Sequence, residues 1–126
     1  MPSDPLGLLL LSGRHDRVHY AFVLASGAAA LGRSVVVFAS NRGCLGLVTD
    51  WSGLDDAGRD ARVRVAGVAG LDELREASIE LGVRLIACEA GLRAEAIDPD
   101  SLLPGVEIAG VVTFLSAIGG GQIITL

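Results

Sequence analysis

The fold is decided by residues 6–39, which read LGLLLLSGRHDRVHYAFVLASGAAALGRSVVVFA. This stretch begins and ends with short apolar runs, at residues 6–11 and 35–39, that are continuous instead of alternating. Continuous runs are typical of strands that a parallel sheet buries on both faces. Between them apolar side chains recur with a helical period, and Gly32 stands where a helix end takes a left-handed residue. We therefore expect a strand, a helix capped by Asp16, and a second parallel strand.

The rest of the chain continues this alternation. Three further apolar runs predict strands at residues 83–87, 108–112 and 123–126. A second helix is expected from Leu71 to Leu81 with Gly82 as its stop, and a short helix over residues 89–97. Repeated strand–helix–strand units indicate an α/β domain with helices on both faces of the sheet. The length of 126 residues suits one domain, residues 1–126.

The segment 41–70 shows a less clear pattern of helices and strands than the residues on either side of it. Residues 43–48 are expected to form a helical turn, residues 51–62 an exposed polar loop, and residues 63–69 a minor strand. A connection of this length without clear structure is often functional or mobile.

Composition excludes several classes of protein. The chain is 51% hydrophobic and 20% charged, which is too apolar for a disordered chain. It lacks the roughly 18 continuous apolar residues of a membrane span, and no basic region precedes the first apolar run as in a signal peptide, so we expect a cytoplasmic protein. The net charge of −5, with ten scattered arginines and no lysine, argues against nucleic acid as a partner.

Polar and reactive side chains collect after the expected strands, at the carboxyl edge where open parallel sheets bind ligands. The first strand is followed by Ser12, Gly13, Arg14 and His15, the second by Ser40, Asn41, Arg42, Gly43 and Cys44, the third by Cys88 and Glu89, and the fourth by Thr113. Both cysteines of the chain therefore lie on this edge, which makes it the candidate site.

Cys88 is the candidate nucleophile. A thiol at a helix N-terminus faces free amide N–H groups that stabilise its thiolate; Glu89 would oppose this effect and Arg93 would help it. The alternative is a buried side chain that behaves as a small hydrophobe. Cys44 is expected on a flexible loop, either as a resolving or relay thiol or as part of the loop packing.

Other chemistries have little support in the sequence. His15 is expected in a rim loop and His19 as a partly exposed helix residue, and no close CxxC pair accompanies them, so no metal site is expected. The chain contains no P-loop, no GxGxxG and no GxSxG, so we expect neither a nucleotide cofactor nor a serine hydrolase.

Residues 8–40, 71–97 and 102–115 together resemble the DsrE/DsrF-like family of small sulfur-relay proteins, in its DsrE2-type branch that is often labelled peroxiredoxin-like. The most specific matches are Ser12-Gly13 with Asp16, Gly82-Val83 leading into Ala87-Cys88, and Gly110-Val111 after Pro104-Gly105-Val106. The resemblance implies a three-layer α/β/α sandwich with a five-stranded, mainly parallel sheet, assembly into trimers or hexamers, and a persulfide carried on Cys88.

Three functions follow as expectations. The first is a cytoplasmic sulfur carrier or sulfurtransferase-like protein, in which Cys88 exchanges sulfur with donor and acceptor proteins or small thiols while Arg14 or His15 favours its anion. The second is a noncatalytic oligomeric binding module of the same fold, since the branch usually has Ser-Met where this chain has Ala90-Gly91. The third is a dithiol redox pair of Cys44 and Cys88. The remaining binding residues expected around Cys88 are Ser12, Gly13, Asn41 and Glu89. The excess of apolar residues favours a surface buried between subunits.

Overall fold

The computed structural model describes residues 4–126. Within them, five strands form one sheet in the spatial order β4-β3-β2-β1-β5, and every neighbouring pair is parallel. The strands are β1 (Leu6–Leu10), β2 (Val35–Ala39), β3 (Arg84–Cys88), β4 (Glu107–Ala109) and β5 (Gln122–Thr125). The α-helices are α1 (His15–Ala30), α2 (Arg59–Val65), α3 (Leu71–Glu80), α4 (Glu89–Ala94) and α5 (Val111–Ile118). The described residues also form three short 3₁₀ helices: Asn41–Gly46, called the Cys44 turn below, Trp51–Gly53 and Pro99–Ser101.

The sheet separates two apolar clusters, as expected for a three-layer α/β/α sandwich. On one face, α1 and α3 cover the alternate strand residues that include Leu8, Leu10 and Val37. On the other face, α5 places Phe114 and Ile118 over residues such as Phe38. The rings of Phe38 and Phe114 stack with their centroids 4.9 Å apart. The predicted architecture is confirmed.

Gly7 leaves space for α5 on the second face of the sheet. A Cβ on Gly7 in β1 would lie 2.8 Å from Ile118 Cγ1 and 2.9 Å from Phe114 Cζ, closer than carbon atoms pack. The absence of a side chain at this position lets α5 approach the centre of the sheet.

The expected glycine stops of α1 and α3 are confirmed, and the expected N-cap of α1 is wrong. Gly32 and Gly82 both adopt positive φ, +86° and +82°, directly beyond α1 and α3. Asp16, however, does not cap α1. The N-cap is Arg14 in extended conformation, and Asp16 lies in the first turn, where its carboxylate accepts a hydrogen bond of 3.2 Å from Arg14 Nε.

Four expected elements differ from those observed. The strand expected at 108–112 ends at Ala109, because Phe114 and Ile118 are one helical turn apart and bury on the sheet only in a helix, so Thr113 lies in the first turn of α5. The strand expected at 63–69 is wrong, since Arg59–Val65 is helical and Val65 is exposed away from the sheet. The polar loop expected at 51–62 contains a 3₁₀ turn and the start of α2. The short helix after Cys88 ends at Ala94.

Candidate functional site

Cys88 lies where the sequence predicts, at the carboxyl end of the sheet. It is the last residue of β3 and the N-cap of α4, a helix of six residues. Its side chain packs in the cluster beneath α5 with neighbours such as Ile86 and Phe114, and 8% of the residue is exposed. Cys88 is therefore largely buried, and a small part of the residue remains accessible.

A cavity of about 500 Å³ opens beside Cys88. It lies between the beginnings of α4 and α5 and is lined by Cys88, Glu89, Ala90, Arg93, Gly110 and Val111. A second cavity of about 370 Å³ shares Glu89 and Arg93 with it and is otherwise lined by Leu92, Ala96, Ile97, Pro99 and Ile108. Volumes of this size accommodate a small molecule. Space for a small molecule thus exists beside Cys88.

The charged groups of the Cys88 cavity form an ion pair. Arg93 Nη2 donates a hydrogen bond of 2.8 Å to Glu89 Oε1, one helical turn away along α4. Glu89 lines the Cys88 cavity together with Arg93.

Cys44 is a buried thiol and not part of a flexible loop. It is fully buried in the Cys44 turn, on the α1 side of the sheet, and its Sγ donates to the carbonyl of Ala39 at 3.5 Å. The turn packs tightly because a Cβ on Gly43 would overlap the Leu10 carbonyl. Burial, with a contribution from the nearby Cys88 thiol, raises the pKa of Cys44 to about 11. Cys44 is consequently a protonated thiol near neutral pH.

Asn41 contacts the helix that follows Cys88. It begins the Cys44 turn with a φ of +51°, a conformation that asparagine adopts more readily than most residues. A Cβ on Gly91 in α4 would lie 2.7 Å from Ser40 Oγ and 2.9 Å from Asn41 N. The absence of a side chain at Gly91 therefore lets α4 and the Cys44 turn meet.

The loop after β1 forms a separate group of contacts. Ser12 Oγ accepts from Arg14 N at 3.1 Å, Gly13 O accepts from Asp55 N at 2.9 Å, and Arg14 pairs with Asp16. Within residues 4–126, the lining of the Cys88 cavity includes none of Ser12, Gly13, Arg14 and His15. Arg14 and His15 were expected to favour the Cys88 anion. In the structure Arg14 pairs with Asp16 and His15 pairs with Asp60 instead.

His15 is the first residue of α1 and is fully buried, so its expected place in a rim loop is wrong. Its Nε2 lies 2.8 Å from Asp60 Oδ1 and its Nδ1 lies 3.2 Å from Arg59 Nη1. Because a guanidinium group only donates, Nδ1 is the acceptor and the proton resides on Nε2, which donates to Asp60. The hydrogen bond between His15 and Asp60 connects α1 to α2.

His19 is also buried, which corrects the expectation of partial exposure. Its Nε2 is 2.8 Å from the carbonyl of Ala69, and its ring stacks on that of His15 at 5.5 Å. Among residues 4–126, no group of three or more His, Cys, Asp or Glu side chains is arranged to hold a metal ion.

Asp60 is a buried charged residue that the sequence did not indicate, because it lies in a polar stretch interpreted as a loop. Its Oδ1 accepts from His15 and from the N–H of Leu71, and its Oδ2 pairs with Arg64 at 3.2 Å. Burial alone would raise the pKa of this carboxyl group, but the two hydrogen bonds and the charge of Arg64 outweigh it and lower the pKa below its ordinary value. Asp60 is therefore an ionised acceptor inside the protein.

Comparison with known proteins points to one family. Residues 49–124 match the model of the DsrE/DsrF/DrsH-like family. The chain is 27% identical to the sulfur carrier protein DsrE2 of Allochromatium vinosum, over 98% of each sequence. Two solved structures are similar: MTH1491, a protein of unknown function from Methanobacterium thermoautotrophicum, and the ychN protein of E. coli. Their TM-scores are 0.60 and 0.67 at 22% and 13% identity, and each match covers 98% of this chain and 100% of the other. No helix in residues 4–126 is long and apolar enough to cross a membrane.

Proposed function

Because the chain belongs to the DsrE/DsrF/DrsH-like family, we propose that it is a cytoplasmic sulfur-relay protein in which Cys88 accepts a sulfur atom and passes it on. The observation that carries this proposal is the position of Cys88, at the carboxyl end of a parallel strand and beside a cavity of about 500 Å³. The name of the relative, sulfur carrier protein, supports the same chemistry.

The transfer is a thiol–persulfide exchange. The Cys88 thiolate attacks the outer sulfur of a donor persulfide, R–S–SH; a bond forms between the two sulfurs, and the S–S bond of the donor breaks. The donor leaves as R–S⁻ with the electron pair, and Cys88 holds the sulfur as a persulfide. An acceptor thiolate then attacks that outer sulfur and releases Cys88 as a thiolate. Neither step needs an external oxidant or reductant.

The surroundings of Cys88 suit a carrier. The sulfur added to Cys88 would lie in the cavity against Ala90, Gly110 and Val111, whose small or apolar groups limit contact with water. Cys44 is the nearby second thiol, and its raised pKa keeps it protonated and slow to attack the bound sulfur. The persulfide would therefore wait for an external acceptor.

The test is intact-mass analysis after incubation with polysulfide, followed by removal of excess reagent. The wild-type protein should gain the mass of one sulfur atom, and so should Cys44→Ala, whereas Cys88→Ala should gain none. Equal uptake by wild type and Cys88→Ala would show that the proposal is wrong. Reduction with a thiol should return the original mass.

A noncatalytic binding module of the same fold is the second candidate. The packing of α4 against Ser40 and Asn41 favours it, because position 91 has no room for the side chain found in the sulfur-relay branch. In that case Cys88 would react with iodoacetamide no faster than a denatured control, and the cavity would bind a ligand without bond formation. A rate above that of the denatured control would support the relay.

We further propose that the protein assembles as a homo-oligomer, a trimer or hexamer, through the layer formed by α5. Val111, Val112 and Leu115 on α5 are exposed, with 77% of Val112 accessible. Ile123 in β5 is in register with Gly7, which contacts α5, so it extends this surface on the same face of the sheet. A second copy would bury these side chains from water.

A further inference from the structure

The lining of the Cys88 cavity is apolar or uncharged except at one side. Glu89 and Arg93 are the charged residues there, and Arg93 is the one basic side chain in the lining among residues 4–126. The same two residues border the second cavity, so Arg93 lies between both spaces. An anion bound in the Cys88 cavity would therefore have this guanidinium group in the same lining as the cysteine.

Arg93 retains hydrogen-bonding capacity. Its side chain is 79% exposed, and within the described residues it donates one hydrogen bond to Glu89 Oε1. By contrast, Arg84 binds Glu107 through two hydrogen bonds of 2.6 and 2.8 Å, which engage both carboxylate oxygens. The Arg93 guanidinium therefore has free N–H groups in the geometry that binds carboxylate, sulfonate or sulfate-like oxygens.

The pair with Glu89 can be replaced. Both partners are largely exposed, and exposed ion pairs contribute little to stability, so an incoming anion can take the place of the Glu89 carboxylate at small cost. The remaining negative charge of Glu89 would disfavour an anion that Arg93 does not hold.

We propose that Arg93 is a specificity-determining residue that selects small sulfur donors carrying a negative charge next to the transferable sulfur, and that Glu89 competes with them for its guanidinium group. This selection rests on the sulfur transfer to Cys88 proposed above. With thiosulfate as the donor, the Cys88 thiolate attacks the outer sulfur, a new S–S bond forms and the S–S bond of thiosulfate breaks. Sulfite leaves with the electron pair, and the persulfide anion stays on Cys88. Arg93 would hold the anionic end of the donor while the new S–S bond forms and the S–S bond of thiosulfate breaks.

The experiment measures charge selection at Cys88 with two alkylating reagents of the same size. Iodoacetate is anionic and iodoacetamide is neutral, and the rate at Cys88 is followed by mass spectrometry of its peptide, which separates it from Cys44. Arg93→Gln should lower the iodoacetate-to-iodoacetamide rate ratio about fivefold, the factor expected for one exposed charge pair. Glu89→Gln should raise the ratio by a similar factor. Both changes should shrink in about 0.5 M salt.

Arg62→Gln and Asp56→Asn are matched controls, because Arg62 and Asp56 form an exposed ion pair of 3.1 Å outside the cavity lining. Neither should change the ratio. An unchanged ratio in Arg93→Gln would overturn the inference, and so would an equal fall in Arg62→Gln, which would reveal an effect of net charge alone.

Sulfur loading of the same variants separates the two proposals. If wild type takes up no sulfur from polysulfide or thiosulfate while Arg93→Gln still lowers the alkylation ratio, the relay fails and the anion selection stands. If wild type loads and Arg93→Gln loads from thiosulfate as fast as wild type does, the relay stands and the selection by Arg93 is wrong.

Discussion

His15 Nε2 and Asp60 Oδ1 lie 2.8 Å apart inside the protein, although 45 positions separate them in the chain. The same carboxylate oxygen accepts a hydrogen bond of 2.8 Å from the N–H of Leu71, the first residue of α3. One buried carboxylate thus connects the start of α1, the helix α2 and the start of α3. It orders the segment between Trp51 and Gly70, whose sequence shows no clear period.

Asp60→Ala should destabilise the protein by about 3–5 kcal/mol, because it leaves two buried donors, His15 Nε2–H and Leu71 N–H, without an acceptor. The measurement is the midpoint of urea unfolding. Asp55→Ala is the control, since Asp55 is exposed and pairs with exposed Arg42; it should cost less than about 1 kcal/mol. Equal losses in the two variants would contradict the role assigned to Asp60.

The depressed pKa of Asp60 predicts a pH dependence of stability. The stabilisation from the ionised carboxylate is complete above the pKa of an unfolded Asp, about 3.9, and is lost as the pH falls through the lower pKa of the folded state. Asp60→Asn keeps a carbonyl acceptor in place but does not titrate. Its unfolding midpoint should therefore fall less steeply than that of wild type below about pH 4. Identical slopes would show that Asp60 does not control acid unfolding.

Cys44 should be unreactive under conditions in which Cys88 loads sulfur. With a pKa of about 11, roughly one Cys44 side chain in a thousand is ionised at pH 8. Its rate of iodoacetamide labelling should rise about tenfold per pH unit up to that pKa, as long as the protein stays folded. Peptide mapping at several pH values checks this, with the circular dichroism spectrum as the control for folding. A Cys44 rate that levels off near pH 8 would disprove the prediction.

Gly91→Ala should cost about 1–3 kcal/mol, because the added methyl group would press on Ser40 Oγ and Asn41 N and shift α4, whose N-cap is Cys88. Gly27→Ala is the matched control: Gly27 lies in α1 with open space around its Cα, so the same change should stabilise the protein by about 0.5–1 kcal/mol. Thermal unfolding of the two variants should move in opposite directions. A stabilised Gly91→Ala would refute the close packing of α4.

The apolar surface of α5 predicts self-association. The wild-type protein should run as a trimer or larger in light scattering, and Val112→Glu should dissociate it, because a carboxylate on an 8-residue helix at the interface would lose its hydration on assembly. Val65→Glu on α2 is the control, since Val65 is more exposed than Val112 and lies on another helix; its assembly should be unchanged. A monomeric wild type would contradict the proposed interface.

The sequence by itself determined the layers of the fold. Residues 6–39 encode strand, helix and strand through local signals: a continuous apolar run, a helical period and a glycine at the left-handed position. Position in that pattern also placed Cys88 at the edge of the sheet, because strand ends of a parallel sheet share one edge. These features depend on residues close together in the chain, so they can be interpreted without coordinates.

Tertiary structure alone decided the surroundings of Cys44 and His15. Cys44 looks like a loop thiol in sequence, yet the packing of Gly43 against β1 buries it and raises its pKa. His15 looks like a rim residue, yet Asp60 reaches it from a segment whose own sequence predicts a polar loop. Burial and hydrogen bonding between distant segments depend on the whole fold, so a local sequence pattern does not predict them. The sequence therefore placed Cys88 at the edge of the sheet, while only the fold showed which groups surround it.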